Sequence, residues 1–156
     1  MNAVRRILVI LAALLAPVAA TASDTLLTLH AHGMDHHYDL SALQAFDHVE
    51  FTTSTIWTEG PQTFRGVPLA ALIKDAGVTE GTIIATAIND YSAEIPFEEI
   101  GPDAPILAYH RNGATMPIRD KGPLWLVYPY DQESAFRSEI IYSRSVWQLD
   151  RLAVDP

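Results

Sequence analysis

The sequence predicts a β-rich α+β fold, with mixed sheets and short helices. Three observations carry this. Short segments alternate apolar and polar residues, as in Leu27-Thr28-Leu29-His30-Ala31. Turn residues recur at short intervals: Gly33, Gly60-Pro61, Gly77, Asn89-Asp90 and Asn112-Gly113. The helical patterns are few and short.

In chain order, Leu27 to Ala31 reads as a half-buried strand, turned by Gly33-Met34-Asp35 so that His37-Tyr38-Asp39-Leu40 returns as a hairpin partner. Ser41 is the expected N-cap of a short helix with Leu43 and Phe46 on its inner face. His48 to Thr55 is rich in Val, Phe and Thr and reads as a strand. Ile56 to Gly66 is expected to be a loop around Glu59-Gly60-Pro61. Pro68 then opens a helix whose stripe is Leu69, Leu72 and Ile73 and whose C′ residue is Gly77. Thr82 to Ile88 is a strand, Asn89-Asp90 turns it, and Ser92 to Ile95 returns. Pro96 to Ile100 holds one helical turn; Ile106 to His110 and Leu124 to Tyr128 are strands. Ser145 to Val154 begins amphipathic and ends with alternating Leu152 and Val154.

The start of the chain reads differently. Met1 to Arg6 is basic, Ile7 to Ala20 is an apolar run of 14 residues, and Ala20-Thr21-Ala22 is a small-residue cleavage pattern. This is the order of a secretory signal, and the run is shorter than the roughly 20 residues of a membrane span. The expectation is a signal peptide over 1–22, cleaved near Ala22, and a single domain over 23–156 that is periplasmic or secreted and does not insert into a membrane. Arg5-Arg6 fits an ordinary secretory start better than a twin-arginine signal. Without them, 8 basic residues face 19 acidic ones, a net charge of −11. Such a surface repels phosphate backbones and anionic lipid, so nucleic acid is not an expected partner. The chain has no cysteine, which excludes disulfides, thiolate metal ligands and cysteine nucleophiles.

Several segments in order carry a family pattern: Phe64-Arg65-Gly66-Val67-Pro68-Leu69, then Ala87-Ile88-Asn89-Asp90-Tyr91-Ser92-Ala93-Glu94-Ile95-Pro96, then Ile106-Leu107-Ala108-Tyr109 with Asn112-Gly113. Lys121-Gly122-Pro123-Leu124-Trp125-Leu126-Val127-Tyr128-Pro129 and Ser145-Val146-Trp147-Gln148-Leu149 follow. Over about residues 26 to 154 the chain resembles the molybdopterin-binding domain of the sulfite oxidase family. The resemblance implies that family's fold and a cleft for a molybdopterin. It also implies a molybdenum-ligating cysteine on the segment matching Phe51-Thr52-Thr53-Ser54-Thr55-Ile56-Trp57. Counting back from Trp57 places Thr53 at the cysteine position, with Ser54 next. A hydroxyl is a far weaker ligand than a thiolate, because its pKa lies far above a thiol's. The chain is also shorter than the catalytic members, whose extra segments help enclose pterin and substrate.

Three constellations are candidate sites. His30, His32, His36 and His37 lie close enough on a hairpin to bind Zn²⁺ or Cu²⁺ with Asp35 or Asp39; the plainer reading is a solvated strand edge. Arg65, Arg111, Arg119, Lys121, Arg137 and Arg144 include groups suited to an anionic ligand, Arg111 or Arg119 facing the cleft; the plainer reading pairs each with a local acid, Arg119 with Asp120. Of the aromatics, Trp125 and Trp147 read as core, and Tyr91 and Tyr130 as walls for a flat ligand.

The resulting expectation is an exported binding module whose cleft takes a small anionic or heterocyclic ligand, acting as a sensor or accessory subunit to a periplasmic or membrane-sensor protein. Its ligand-binding residues are Thr53, Ser54, Trp57, Tyr91, Arg111, Arg119 and Tyr130. No cofactor is expected, molybdopterin being the one the resemblance supplies, and no residue is assigned a catalytic role. One alternative is a molybdopterin-dependent oxidoreductase with a non-cysteine metal ligand. The other is a histidine-based Zn or Cu protein.

Overall fold

The computed structural model describes residues 24–155; the signal read over 1–22 lies outside the described residues. Among the described residues, two sheets and three short α-helices make up the fold. The first sheet has the order β2 (Met34–Tyr38), β1 (Leu27–Ala31), β10 (Leu149–Asp155), β5 (Thr82–Ala87) and β6 (Ser92–Pro96). Its β1–β10 pair is parallel, with Leu29 opposite Leu152, and its other pairs are antiparallel, so the sheet is mixed. The second sheet runs β3 (Val49–Thr53), β4 (Gln62–Pro68), β7 (Ile106–Arg111) and β8 (Ala114–Thr115), with β9 (Trp125–Val127) also on β7. Helices α1 (Leu40–Gln44), α2 (Leu69–Asp75) and α3 (Glu139–Arg144) complete it.

Side-chain periodicity explains where the core sits. In β5 the residues Ile83, Ala85 and Ala87 are buried and alternate with half-exposed ones, as expected for a strand with one face inward. β7 and β9 instead read as continuous apolar runs because both of their faces are covered. Leu107, Tyr109 and Leu126 join the main core with Leu27, Leu29, Ile83 and Leu72. Ile106, Ala108, Trp125 and Val127 face a second, aromatic cluster with Phe64, Tyr128 and Tyr130. Each fully buried Leu, Ile or Phe contributes about 1.5–3 kcal/mol of hydrophobic stabilisation.

Local differences from the sequence reading have physical causes. Asp39, not Ser41, caps α1: its backbone is extended and its Oδ1 accepts from Ala42 N at 2.7 Å, while the Ser41 hydroxyl donates to the same oxygen at 2.8 Å. Asp39→Ala is therefore expected to cost about 1 kcal/mol, read as a fall of about 4 °C in Tm. The stretch expected to be a loop up to Gly66 becomes β4 from Gln62 onward, because it is paired on both sides by β3 and β7. Pro68 ends β4 and caps α2, which starts at Leu69. Helix α3 has no counterpart in the sequence reading, although Ser138 at its N-cap, Glu139 in its first turn and Arg144 in its last are ordinary helix signals. Among the described residues, no helix is long and apolar enough to cross a membrane.

Candidate ligand cleft beside Trp57

The segment after β3 is clamped to the loop after β9. Thr53 Oγ1 accepts from Asp131 N at 3.1 Å, and Ser54 N donates to Asp131 Oδ2 at 2.6 Å. Thr53 is only 1% exposed. The Ser54 N–H is the main cause holding the Asp131 carboxyl below its ordinary value of 3.8. A depressed folded-state pKa means that this contribution to stability is complete above about 3.8 and is lost as pH falls through the lowered value. Unfolding midpoints of the wild type and Asp131→Asn should accordingly converge on acidification below about pH 3.8. A gap that stays constant down to about pH 2 would show that the carboxylate contributes nothing there.

The clamp sets the path of the chain into Trp57. Its ring meets Trp125, Tyr130, Tyr142 and Trp147 edge-on, with centroids 5.9, 6.1, 5.7 and 5.5 Å away. Such pairs contribute about 0.5–1.5 kcal/mol each beyond area burial, which fixes the indole in one orientation. Beside it opens a cleft of about 340 Å³. Ile56 and Trp57 form one wall, Ala87, Asn89 and Tyr91 of the β5–β6 hairpin another, and Tyr142 to Trp147 the third, Arg144 excepted. The hairpin tip is shaped by Asp90 at φ 67°, with Tyr91 N donating to Asn89 Oδ1 at 3.3 Å. The Tyr91 hydroxyl donates to Ser143 O at 2.7 Å and ties that tip to α3.

Trp57 and Tyr91 thus line one concavity. The remaining expected ligand contacts fall elsewhere. Thr53 and Ser54 support the cleft from behind and do not line it. Tyr130 is 1% exposed and donates to Ser145 Oγ at 2.7 Å, so its ring is core; burial pushes its hydroxyl pKa above the usual phenol range. Neither Arg111 nor Arg119 lines the cleft, a correction to the expected anion site. Arg111 is turned toward Asp120 by an ion pair, taking the acid expected for Arg119, and Arg119 is exposed on the 3-10 turn Ile118–Asp120. Arg144 is held by Glu99 and Glu94 O. Trp147, expected in the core, is half-buried and lines the cleft; Ile56, Tyr142 and Ser143 line it too and were not among the expected ligand-binding residues. The density of aromatics between 125 and 147 was the available signal.

The four histidines do not converge. Register places His37 and His30 on one face of the β1–β2 hairpin and His36, opposite Leu29, on the other. His30 Nδ1 lies 2.6 Å from Asp35 Oδ1, His37 Nδ1 lies 3.2 Å from Thr28 Oγ1, and His32 in the turn reaches Gly77 O at 3.2 Å. Among the described residues, no three His, Cys, Asp or Glu are grouped as metal ligands.

Residues 16–132 match the family described as the oxidoreductase molybdopterin binding domain. The chain belongs to that family. Among solved structures it is similar to the sulfane dehydrogenase SoxCD from Paracoccus pantotrophus, with a TM-score of 0.63 and 20% identity over 82% of this chain. It spans 37% of that chain, and the likeness is one of fold. Comparison with curated proteins finds no match.

For a molybdopterin-binding domain the residues at the expected ligand position are decisive. A molybdenum held by a protein thiolate does not fit them, because the chain has no cysteine. The hydroxyl of Thr53, the position the family resemblance implies for that thiolate, is enclosed and hydrogen-bonded to Asp131 N.

Proposed function

We propose that this member of the oxidoreductase molybdopterin binding domain family is an exported binding module, which holds a small planar ring ligand in the cleft beside Trp57 and works without molybdenum. The observation that carries this reading is the pairing of two features: a buried, hydrogen-bonded Thr53 where a metal thiolate is implied, and an open aromatic cleft next to it. A concave site of mainly apolar and aromatic lining with few polar groups is the ordinary form of a small-molecule site. None of the ten lining residues is charged, which favours a heterocyclic ligand over an anionic one. Export rests on the basic, apolar and small-residue order of positions 1–22. A module of this kind reports ligand to a partner as a sensor or accessory subunit. The enzyme reading rests on family membership, and no arrangement of residues described above adds to it.

Titration with neutral fused heterocycles such as quinoxaline or pteridine, followed by tryptophan fluorescence, tests the cleft. Saturable quenching that is lost in Trp57→Ala is expected. Quenching that is linear in ligand, or the same in the variant, contradicts the proposal.

A further inference from the structure

The cleft wall keeps two indole donors unengaged beside several engaged carbonyls. Four of its backbone acceptors are already engaged. Ala87 O receives Asp90 N at 2.9 Å, Ser143 O receives the Tyr91 hydroxyl at 2.7 Å, and Ser145 O receives Trp125 Nε1 at 3.2 Å. Val146 O receives Leu126 N at 2.9 Å. Two of the wall's donors are open. No hydrogen bond within the described residues takes the indole N–H of Trp57 or Trp147, and neither is among the buried unpartnered atoms. A ligand that satisfies these two indoles brings acceptors. Lys121 Nζ sits 4.3 Å from the Trp147 ring centroid, and a cation there draws electron density from the ring, strengthening its N–H as a donor.

The mouth of the cleft is greasy. The exposed large hydrophobics of the described residues are Met34, Ile56, Ile88, Tyr91, Ile118 and Ile140. Ile56 and Tyr91 line the cleft, and Ile88 lies between lining Ala87 and Asn89. Ile140 is tied to lining Ser143, whose hydroxyl donates to its carbonyl at 2.7 Å. A volume of about 340 Å³ takes a one- or two-ring headgroup and is too small for a helix or strand of a partner. An aliphatic substituent on that headgroup would run out over Ile56, Ile88 and Ile140.

We propose that the ligand of this cleft is an uncharged conjugated ring dione with an aliphatic tail, the quinone class, its ring carbonyls accepting from the Trp57 and Trp147 indole N–H groups. This rests on the small-ligand reading of the cleft and narrows it. No redox step is part of the proposal.

The chain has three tryptophans, which makes a direct readout available. In a ¹H–¹⁵N spectrum of the folded protein titrated with decylubiquinone, the indole signals of Trp57 and Trp147 should shift, while that of Trp125, bonded to Ser145 O, should stay. The tail-less headgroup, 2,3-dimethoxy-5-methyl-1,4-benzoquinone, should bind at least about tenfold more weakly. Trp147→Phe, which keeps a ring and removes the donor, should weaken decylubiquinone about fivefold. If the pteridine binds and saturates but decylubiquinone leaves the Trp57 and Trp147 signals unmoved, the quinone proposal fails and the small-ligand reading stands. If neither binds, both fail. Equal affinity of the tailed and tail-less quinones overturns the role given to the apolar rim.

Discussion

Gly66→Ala is expected to remove at least about 3 kcal/mol of stability, a large part of the 5–15 kcal/mol that holds an ordinary domain folded. A Cβ at this position would stand 2.1 Å from Leu107 O, 2.5 Å from Leu107 C and 2.6 Å from Ala108 Cα. These are backbone atoms of the neighbouring strand, so no rotamer change relieves the clash. β4 and β7 meet here at a register shift between Arg65 and Gly66. Moving them apart loosens a strand that is buried on both faces and joins the main core to the aromatic one. The midpoint of urea unfolding measures the effect. A loss under about 1 kcal/mol would mean that the strands separate more easily than their packing indicates.

Trp57→Ala is the second large effect, and it should act on stability and binding together. Four edge-on aromatic contacts end at this one side chain, and large-to-small substitutions of buried aromatics cost about 3–5 kcal/mol. Trp57 is half-buried because the cleft opens on one side of it, so the expected cost is at the lower end, about 3 kcal/mol. Ligand binding should disappear even in the fraction that is folded, since the wall against which a ring stacks is gone. Trp57→Phe should recover most of the stability. A folded Trp57→Ala variant that binds ring ligands as the wild type does would move the site elsewhere.

Much of the fold was legible because its signals are local. The alternation of Ile83, Ala85 and Ala87, the turn at Asn89-Asp90 and the stripe Leu69, Leu72, Ile73 each lie within a few residues. The parallel pairing of β1 with β10 was not legible, since it joins the two ends of the domain and depends on sheet closure. The same holds for the site. Trp57 could be named because it ends the segment that the family resemblance singles out, and Tyr91 because it sits beside a turn. Tyr142, Ser143 and Trp147 were missed because α3 and the run after it reach the cleft only through tertiary packing. The arginines misled for a related reason. Arg111 and Arg119 look equivalent in sequence, yet Asp120 is taken by Arg111 across a strand and a turn, and neither guanidinium is left for the cleft.

On the proposed reading, the cleft beside Trp57 holds an organic ring ligand and Thr53 does not stand in for a metal thiolate. Native mass spectrometry of the protein purified from its own source tests both at once, because it preserves non-covalent ligands and reports their mass. The expected spectrum shows the chain with a small organic adduct and no molybdenum, the adduct absent from Trp57→Ala. A stoichiometric adduct with the mass and isotope pattern of a molybdenum–pterin would contradict the account.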